Sequence, residues 1–459
     1  MAELFVDKDS EGDEEEQELQ VMRDEEDDEG GFGSNHTLKL SPTTVTIQSE
    51  IFCLAFSADG RFLLACCGDG IVRVLNPHNG VVISVLVSKR ERSRKGYGKV
   101  ERGSSGALGL QKRSSSILDS VKLPCTCAAF RPYNKGEKTN GVALIGYSHG
   151  EIQLWHVPSA KVLHQQAVPP EDSNSRGGAG DGDEAEEKGE ASKRDDDIEI
   201  PIGVEVLCCA FSSDGEFFAV GASDGVVRVY NDTTREMLVE LKPGMARGSG
   251  HSSRVFSVKF HPDNSNTLVS GGWDNCVQVW DVEKATTVTT VFGPHICGDA
   301  VGVFGRTIVT GSWRDESQLE AWDMDSGKAS GPSFWSGSGK GALLQQALGR
   351  RCRLYAAAFG GPEDTRGKFV AAGGGEGANE VFDFLDNRRL IGSLLGLSAG
   401  AISLAFEPQG QQLAVGLANG QAGLTHWNCY VCAQIHLVDI ETTAEVPQES
   451  SGGKTIMVF

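Results

Sequence analysis

The sequence predicts an all-β chain in which seven copies of a four-stranded antiparallel unit are joined in series and closed into a ring. Three observations carry that prediction. A turn residue stands six positions before an aromatic residue or leucine in "GDGIVRVLN" (68–76), "SHGEIQLWH" (148–156), "SDGVVRVYN" (223–231) and "WDNCVQVWD" (273–281). Upstream of each lies an apolar alternating run that ends in Phe and a turn, followed by another apolar run. Between Ile51 and about Ile440 these blocks recur every ~47 residues once two charged inserts are set aside, close to the repeat length of a four-stranded unit.

Taken in order, the first unit reads "FCLAFSADG", "RFLLACC", "GDGIVRVLN" and a looser fourth run, "GVVISVLV". The second reads "CTCAAFRP", "VALIGY", "SHGEIQLWH" and "AKVLHQQA". The third has "CCAFSSDG", "EFFAVGA" and "SDGVVRVYN", and the fourth "VFSVKFHPDN", "TLVSGG" and "WDNCVQVWD". In the fifth, "AVGVF" and "TIVTGS" precede "RDESQLEAWD" (314–323), where one residue is added between the turn and Trp322. The sixth has "YAAAFGG", "KFVAAGG" and "GEGANEVFD" (375–383). The seventh has "ISLAFEPQG", "QQLAVGL" and "ANGQAGLTH" (418–426), with Thr425 where the large residue belongs.

Period-two alternation between Asp-Gly or Asn-Gly turns is the signal of a hairpin. A four-stranded meander cannot bury both faces alone, so successive sheets must pack face to face around an axis and close. Two segments compete for the outer place in the seventh unit: "VCAQIHLV" (431–438) and "TVTI" (44–47) from the other end of the chain. The N-terminal strand is preferred.

On these residues the chain resembles the WD-repeat (WD40) β-propeller family, over about residues 39–440. The resemblance rests on Trp280-Asp281, Trp322-Asp323, the Asp-Gly turns and the "FSxDG" corners. It implies a seven-bladed propeller in which a His, a Ser/Thr, an Asp and a strand Trp form a buried hydrogen-bond relay. Here that set maps onto His251, Ser270, Asp274 and Trp280 in the fourth unit, and onto His295, Thr310, Asp315 and Trp322 in the fifth. The other five units lack one or more members. The resemblance also implies that the turn holding Asp274 opens onto the top face of the ring.

Charge is unevenly placed along the 459 residues, whose net charge is −21. Residues 1–30 carry −13 and residues 171–200 carry −8, so the remainder sums to zero. Within it, residues 89–113 carry +7. The expected organisation is a disordered acidic tail over 1–38, the propeller over 39–440 with a basic insert at 88–117 and an acidic insert at 168–200, and a flexible C-terminal tail over 441–459. The acidic tail is too charged and too poor in aromatics to order itself, and it suits basic partners. The basic insert has Tyr97 as its one aromatic residue, which argues against a stacking platform and points away from nucleic acid.

No run approaches the ~18 apolar residues of a membrane span, and the acidic N-terminus is not a secretory signal. The expected setting is intracellular, cytoplasmic or nuclear. Of twelve cysteines, Cys53, Cys127, Cys208, Cys209 and Cys276 lie in or beside apolar runs, where a free thiol behaves as a small hydrophobe. Cys125-Thr-Cys127 and Cys429-Tyr-Val-Cys432 lack the second ligand pair a zinc site needs. No metal or other cofactor is expected. "SGSGKG" (336–341) departs twice from a phosphate loop, at Phe334 and Gly341, and "GGGEG" (373–377) reads as a hairpin turn. With no nucleophile elbow and no HExxH spacing, an enzyme is not expected.

What remains is surface. Trp273 precedes the turn Asp274, and Trp313 with Arg314 sits beside Asp315 in the next unit's turn. Two indoles and a guanidinium on adjacent turns are the residue set enriched at interface hot spots. The expected function is a non-enzymatic scaffold holding other proteins on the top face through Trp273, Trp313 and Arg314. The alternative is an acidic chaperone or assembly factor for a basic nuclear cargo, a histone or ribosomal protein. An enzyme at the propeller mouth stands third.

Overall fold

The computed structural model describes residues 20–22, 36–88, 123–133, 139–169, 204–244, 249–331, 353–361, 367, 369–375, 379–383, 389–395, 399–418 and 433–442. Two strands come before the first repeat, β1 (Gln20–Met22) and β2 (His36–Ile47). Sheet one contains β3 (Ile51–Phe56), β4 (Leu63–Cys67), β5 (Ile71–Leu75) and β6 (Val82–Val87). Sheet two contains β7 (Cys125–Phe130), β8 (Val142–Tyr147), β9 (Glu151–His156) and β10 (Lys161–Ala167). Sheet three runs β11 (Val206–Phe211), β12 (Phe217–Ala222), β13 (Val227–Asn231) and β14 (Met237–Leu241).

Sheet four runs β15 (Val255–His261), β16 (Asn264–Gly272), β17 (Cys276–Asp281) and β18 (Thr286–Phe292). Sheet five has three described strands, β19 (Val301–Phe304), β20 (Thr307–Gly311) and β21 (Leu319–Asp323). Sheet six is β22 (Leu354–Gly360), β23 (Phe369–Gly374), β24 (Asn379–Asp383) and β25 (Arg389–Leu395), and sheet seven begins with β26 (Gly400–Phe406), β27 (Gln412–Ala418) and β28 (Ala433–Thr442). All strand pairs are antiparallel. The only described helix is a 3₁₀ turn at Val157–Ser159, and no described helix is long and apolar enough to cross a membrane.

The sheets form a ring. Each first strand touches the next, from β3 through β7, β11, β15, β19 and β22 to β26, and β26 returns to β3. The core lies between sheets. Between sheets one and two, for example, Leu64, Val72, Val74 and Leu86 meet Cys125, Ala143, Ile145 and Trp155, all buried. Second strands are buried on both faces, as in β8, because a sheet packs on either side of them.

Sheet seven closes the ring in the order β2-β28-β27-β26. The N-terminal strand takes the outer place, with Val45 opposite Ile435 and Leu38 opposite Ile440. The C-terminal segment is also used, one position further in, where it pairs with β27. Two segments expected to exclude each other therefore sit side by side. The third strand comes from β28 rather than from "ANGQAGLTH", most of which lies outside the described residues. The reason is visible in composition: "AQIHLVDI" alternates apolar and polar, whereas Thr425 breaks the earlier run.

Within the stretch expected to be an unstructured tail, β1 pairs with β25 and adds a fifth strand to sheet six. The rest of the acidic tail, both charged inserts apart from their ends, and residues 443–459 lie outside the described residues.

Candidate functional site

The turns between second and third strands gather at one end of the ring, here called the top. In sheet four, Asp274 and Asn275 make that turn, with Asn275 at φ +60°, a left-handed geometry that Asn tolerates better than most residues. Below it stands a polar relay. The Trp280 Nε1–H donates to Ser270 Oγ at 2.7 Å, and Ser270 Oγ lies 2.8 Å from His251 Nε2. His251 Nδ1 lies 3.0 Å from Asp274 Oδ2. One tautomer satisfies all of it: His251 Nδ1–H donates to the carboxylate, and Nε2 accepts the Ser270 hydroxyl proton. Burial opposes the ionisation of Asp274, but the bonds from His251 and the Ser252 N–H outweigh it and hold its carboxyl below the ordinary range.

The fifth unit assembles only half of the set expected of it. Trp322 Nε1–H donates to Thr310 Oγ1 at 2.9 Å. His295 instead turns its ring to Asn275 Oδ1 of the preceding sheet, at 2.8 Å, and Asp315 is exposed and pairs with Arg353. The added residue before Trp322 lengthens the turn, so Asp315 no longer points back into the sheet; Gln318 is buried there and donates to the Asp315 carbonyl at 2.6 Å.

Other sheets use different polar residues at the same place. In sheets one and three the turn aspartate accepts from an arginine four residues on: Arg73 Nη2 to Asp69 at 2.7 Å, and the fully buried Arg228 to Asp224 at 2.6 Å. In sheet two, Gln153 Oε1 accepts from both Trp155 Nε1–H and Tyr147 Oη–H. The sequence signal for the first device was the shared "DGxVRV" spacing.

A feature not foreseen from sequence shapes the mouth of the ring. Six of the seven first strands carry a one-residue bulge just inside their top end, at Phe52, Thr126, Leu207, Phe256, Tyr355 and Ile402. A bulge breaks the two-residue alternation and re-aims a side chain. All six residues line a central channel of about 690 Å³. Phe52 is exposed and the other five are partly buried, although the residue before each is fully buried. In sheet five the corresponding segment, Cys297-Gly298, leads into a bend at Gly298 and Asp299; a Cβ on Gly298 would meet the Tyr355 carbonyl at 2.4 Å.

Trp273 stands on this rim, 45% exposed. Its ring packs edge-on against Phe256 with centroids 5.6 Å apart and stacks on His295 at 6.0 Å. Its Nε1–H donates to Cys297 Sγ at 3.1 Å. Burial lowers the His295 pKa below the ordinary imidazole value, which favours the neutral ring against the indole. Trp313 is more enclosed: its ring meets Tyr355 at 4.2 Å and Arg353 lies over it at 5.5 Å.

Arg314, expected as a contact residue, is held internally. Its guanidinium donates to the Ser317 and Gly293 carbonyls and pairs with Glu320. Deeper in the channel, Lys259 Nζ pairs with Asp299 at 2.7 Å, and Ser257 Oγ–H donates to the same carboxylate. Burial works against the Lys259 charge, but Asp299 outweighs it and holds the ammonium pKa above its ordinary value. Among the described residues no three His, Cys, Asp or Glu side chains are grouped to hold a metal.

Comparison with known proteins bears on this geometry. The family model described as WD domain, G-beta repeat matches residues 41–76, 203–231 and 245–281. WD repeat-containing protein 1 of Gallus gallus is 33% identical over 98 residues, covering 21% of this chain and 15% of that protein. The transcriptional corepressor LEUNIG_HOMOLOG of Arabidopsis thaliana is 24% identical over 216 residues, 46% of this chain and 23% of that protein. The U3 small nucleolar RNA-associated protein 15 homolog of Xenopus tropicalis is 24% identical over 248 residues, 48% of this chain and 45% of that protein. The matches span less than half of the length of each of these relatives.

Proposed function

We infer that this chain, which carries WD repeats on a ring of β-sheets, is a non-enzymatic scaffold that holds partner proteins at the top mouth of its channel. The observation that carries the reading is the rim: Phe52 and Trp273 are exposed, and Phe256, Tyr355, Leu207 and Ile402 are partly so, around one opening. Exposed aromatic area held rigid by neighbouring rings is what an interface anchor needs, since little side-chain entropy is lost on binding. Trp273 is the central contact of this proposal and Trp313 flanks it. Arg314 supports the turn rather than the partner.

The test is affinity capture from the native cell extract with the full chain, its Phe52→Ala/Trp273→Ala variant, and a Leu238→Ala control on the exposed outer strand of sheet three. Partners lost with the double variant and kept with the control support the reading. An unchanged partner list sinks it.

A second reading is favoured by the −13 charge of residues 1–30: an assembly factor that shields basic cargo. Binding through that segment would weaken steeply between low and physiological salt, because exposed charges are screened within ~8–10 Å. An intracellular setting, cytoplasmic or nuclear, belongs to the same proposal. The corepressor and the U3-associated relatives support its nuclear side.

A further inference from the structure

The repeats supply an internal comparison at the end of the ring opposite the mouth, where first strands turn into second and third into fourth. At the junction of sheets two and three this end is plugged by the buried Arg131–Asp232 pair. Arg131 follows the last Phe of its first strand, and Asp232 lies two residues after Tyr230; at the next junction the same positions are Ser212 and Val282. A groove of about 800 Å³ stays open there. The β11–β12 turn and β14 form one side, and the β15–β16 and β17–β18 turns form the other.

Its floor is apolar and fixed. Phe217, Val239 and Val282 pack on the core between sheets three and four. Leu238 is passed over in the pairing of β14 with β13, so it is the bulged residue, and it stands at the lip 51% exposed. Ser213 Oγ and Ser265 Oγ, 3.2 Å apart, tie the β11–β12 turn to the start of β16.

The rim is acidic. Asp214, Asp263 and Glu283 line the groove, and no lysine, arginine or histidine does. Asp263 and Glu283 are exposed and form no salt bridge among the described residues, while the neighbouring Lys284 is turned to Asp281 at 2.5 Å. At the junction of sheets one and two the matching residues are Asp59, which Arg61 neutralises, Tyr133 and Pro158. The uncompensated charge is therefore particular to this groove. Its carboxylates come from three separate turns and are not grouped to hold a metal, so they suit cations spaced along a chain.

We propose that this groove binds an extended basic segment of a partner protein, with one large aliphatic side chain on the floor and lysines or arginines on either side meeting the three carboxylates. A volume of this size holds one such side chain with its neighbours. The same rim repels the phosphates of nucleic acid or of an anionic membrane. Groove and mouth lie at opposite ends of the ring, so the site goes beyond the scaffold reading and does not depend on it.

The test follows the fluorescence anisotropy of a labelled peptide, GKKLKGG, with the full chain at about 0.15 M salt. Affinity falls at least about tenfold with Asp263→Lys/Glu283→Lys, because two attractions become repulsions. It falls as far when the peptide's leucine is replaced by serine, since burying a leucine is worth a factor of that size. Phe52→Ala/Trp273→Ala leaves it unchanged. Both reversed positions are exposed, and an unchanged thermal midpoint checks that the variant folds. Equal binding of the leucine and serine peptides overturns the proposal, because the acidic segments at 1–30 and 171–200 then act by charge alone. Absence of binding overturns it too, as does binding that survives the reversed charges. A loss with the mouth variant places the peptide at the mouth and has the same force. Deleting residues 89–113, which carry +7, tests the competing occupant. A rise in affinity of about tenfold on that deletion assigns the groove to the chain's own insert and overturns the partner.

Discussion

Replacing Ser270 with alanine removes one hydroxyl from the middle of the sheet-four relay and leaves two groups without partners. Ser270 is 0% exposed, and so is the His251 side chain; Trp280 is 1% exposed. The Trp280 N–H loses its acceptor and His251 Nε2 loses its donor. A buried polar group left unsatisfied costs about 1–3 kcal/mol, so the pair costs about 2–6 kcal/mol. Thr310→Val in sheet five is the internal control. It orphans only the Trp322 N–H, because His295 is bonded elsewhere, and costs about 1–3 kcal/mol. Urea unfolding of wild type and both variants reads the difference from midpoints at constant slope. If Ser270→Ala lies within about 0.5 kcal/mol of wild type, or no lower in stability than Thr310→Val, the relay is not a connected device.

Two further outcomes follow from buried charge. Because the folded Asp274 carboxyl titrates below its ordinary value of 3.8, it contributes stability above that pH that is lost as pH falls through the lowered value. Asp274→Asn therefore destabilises most at pH 7, and its gap from wild type narrows below about pH 4; a gap constant with pH, followed by urea unfolding, would contradict this. Asp232→Ala removes the carboxylate that Arg131, whose side chain is 7% exposed, pairs with at 2.8 Å across the junction of sheets two and three, leaving that guanidinium with the Thr139 carbonyl and also taking the carboxylate from Arg235. Breaking such a buried pair costs about 3–5 kcal/mol, and a change under 1 kcal/mol, about the value of an exposed pair, would show that the junction is solvated.

Much of the fold was legible because each turn declares itself. Asp69, Asp224 and Asp274 fix their turns through side-chain bonds to nearby backbone N–H or ring groups, and the large residue six positions on marks the third strand. The sheet-four relay was legible for the same reason, since its four members lie on one local stretch. The sheet-five relay was not, because a pairing between neighbouring sheets decided it: Asn275 captured the His295 ring. The bulge residues escaped notice because Phe52 or Tyr355 at a partly exposed position reads, under strict alternation, as an ordinary strand residue. Only the register between first and second strands reveals that one residue has been inserted. The inner place of β28 was hidden because "ANGQAGLTH" (418–426) carries the Asn-Gly turn that marks a third strand in the other units, so "VCAQIHLV" (431–438) reads as a candidate for the outer place alone.

The seam between β2 and β28 ties the beginning of the ring to its end, and this sets a clock for the chain's birth. Val45 is made long before Ile435, its partner, exists. At ~5–20 residues per second of synthesis, the ~390 intervening residues take roughly 20–80 s. Throughout that interval six sheets can stack on the ribosome as an open arc, while the N-terminal strand waits with its pairing edge bare. The last strand to emerge is the one that shuts the circle, so a ribosome stalled just short of Ala433 would hold an arc with both ends exposed. Such a nascent chain should be the form most attractive to chaperones that bind unpaired strands.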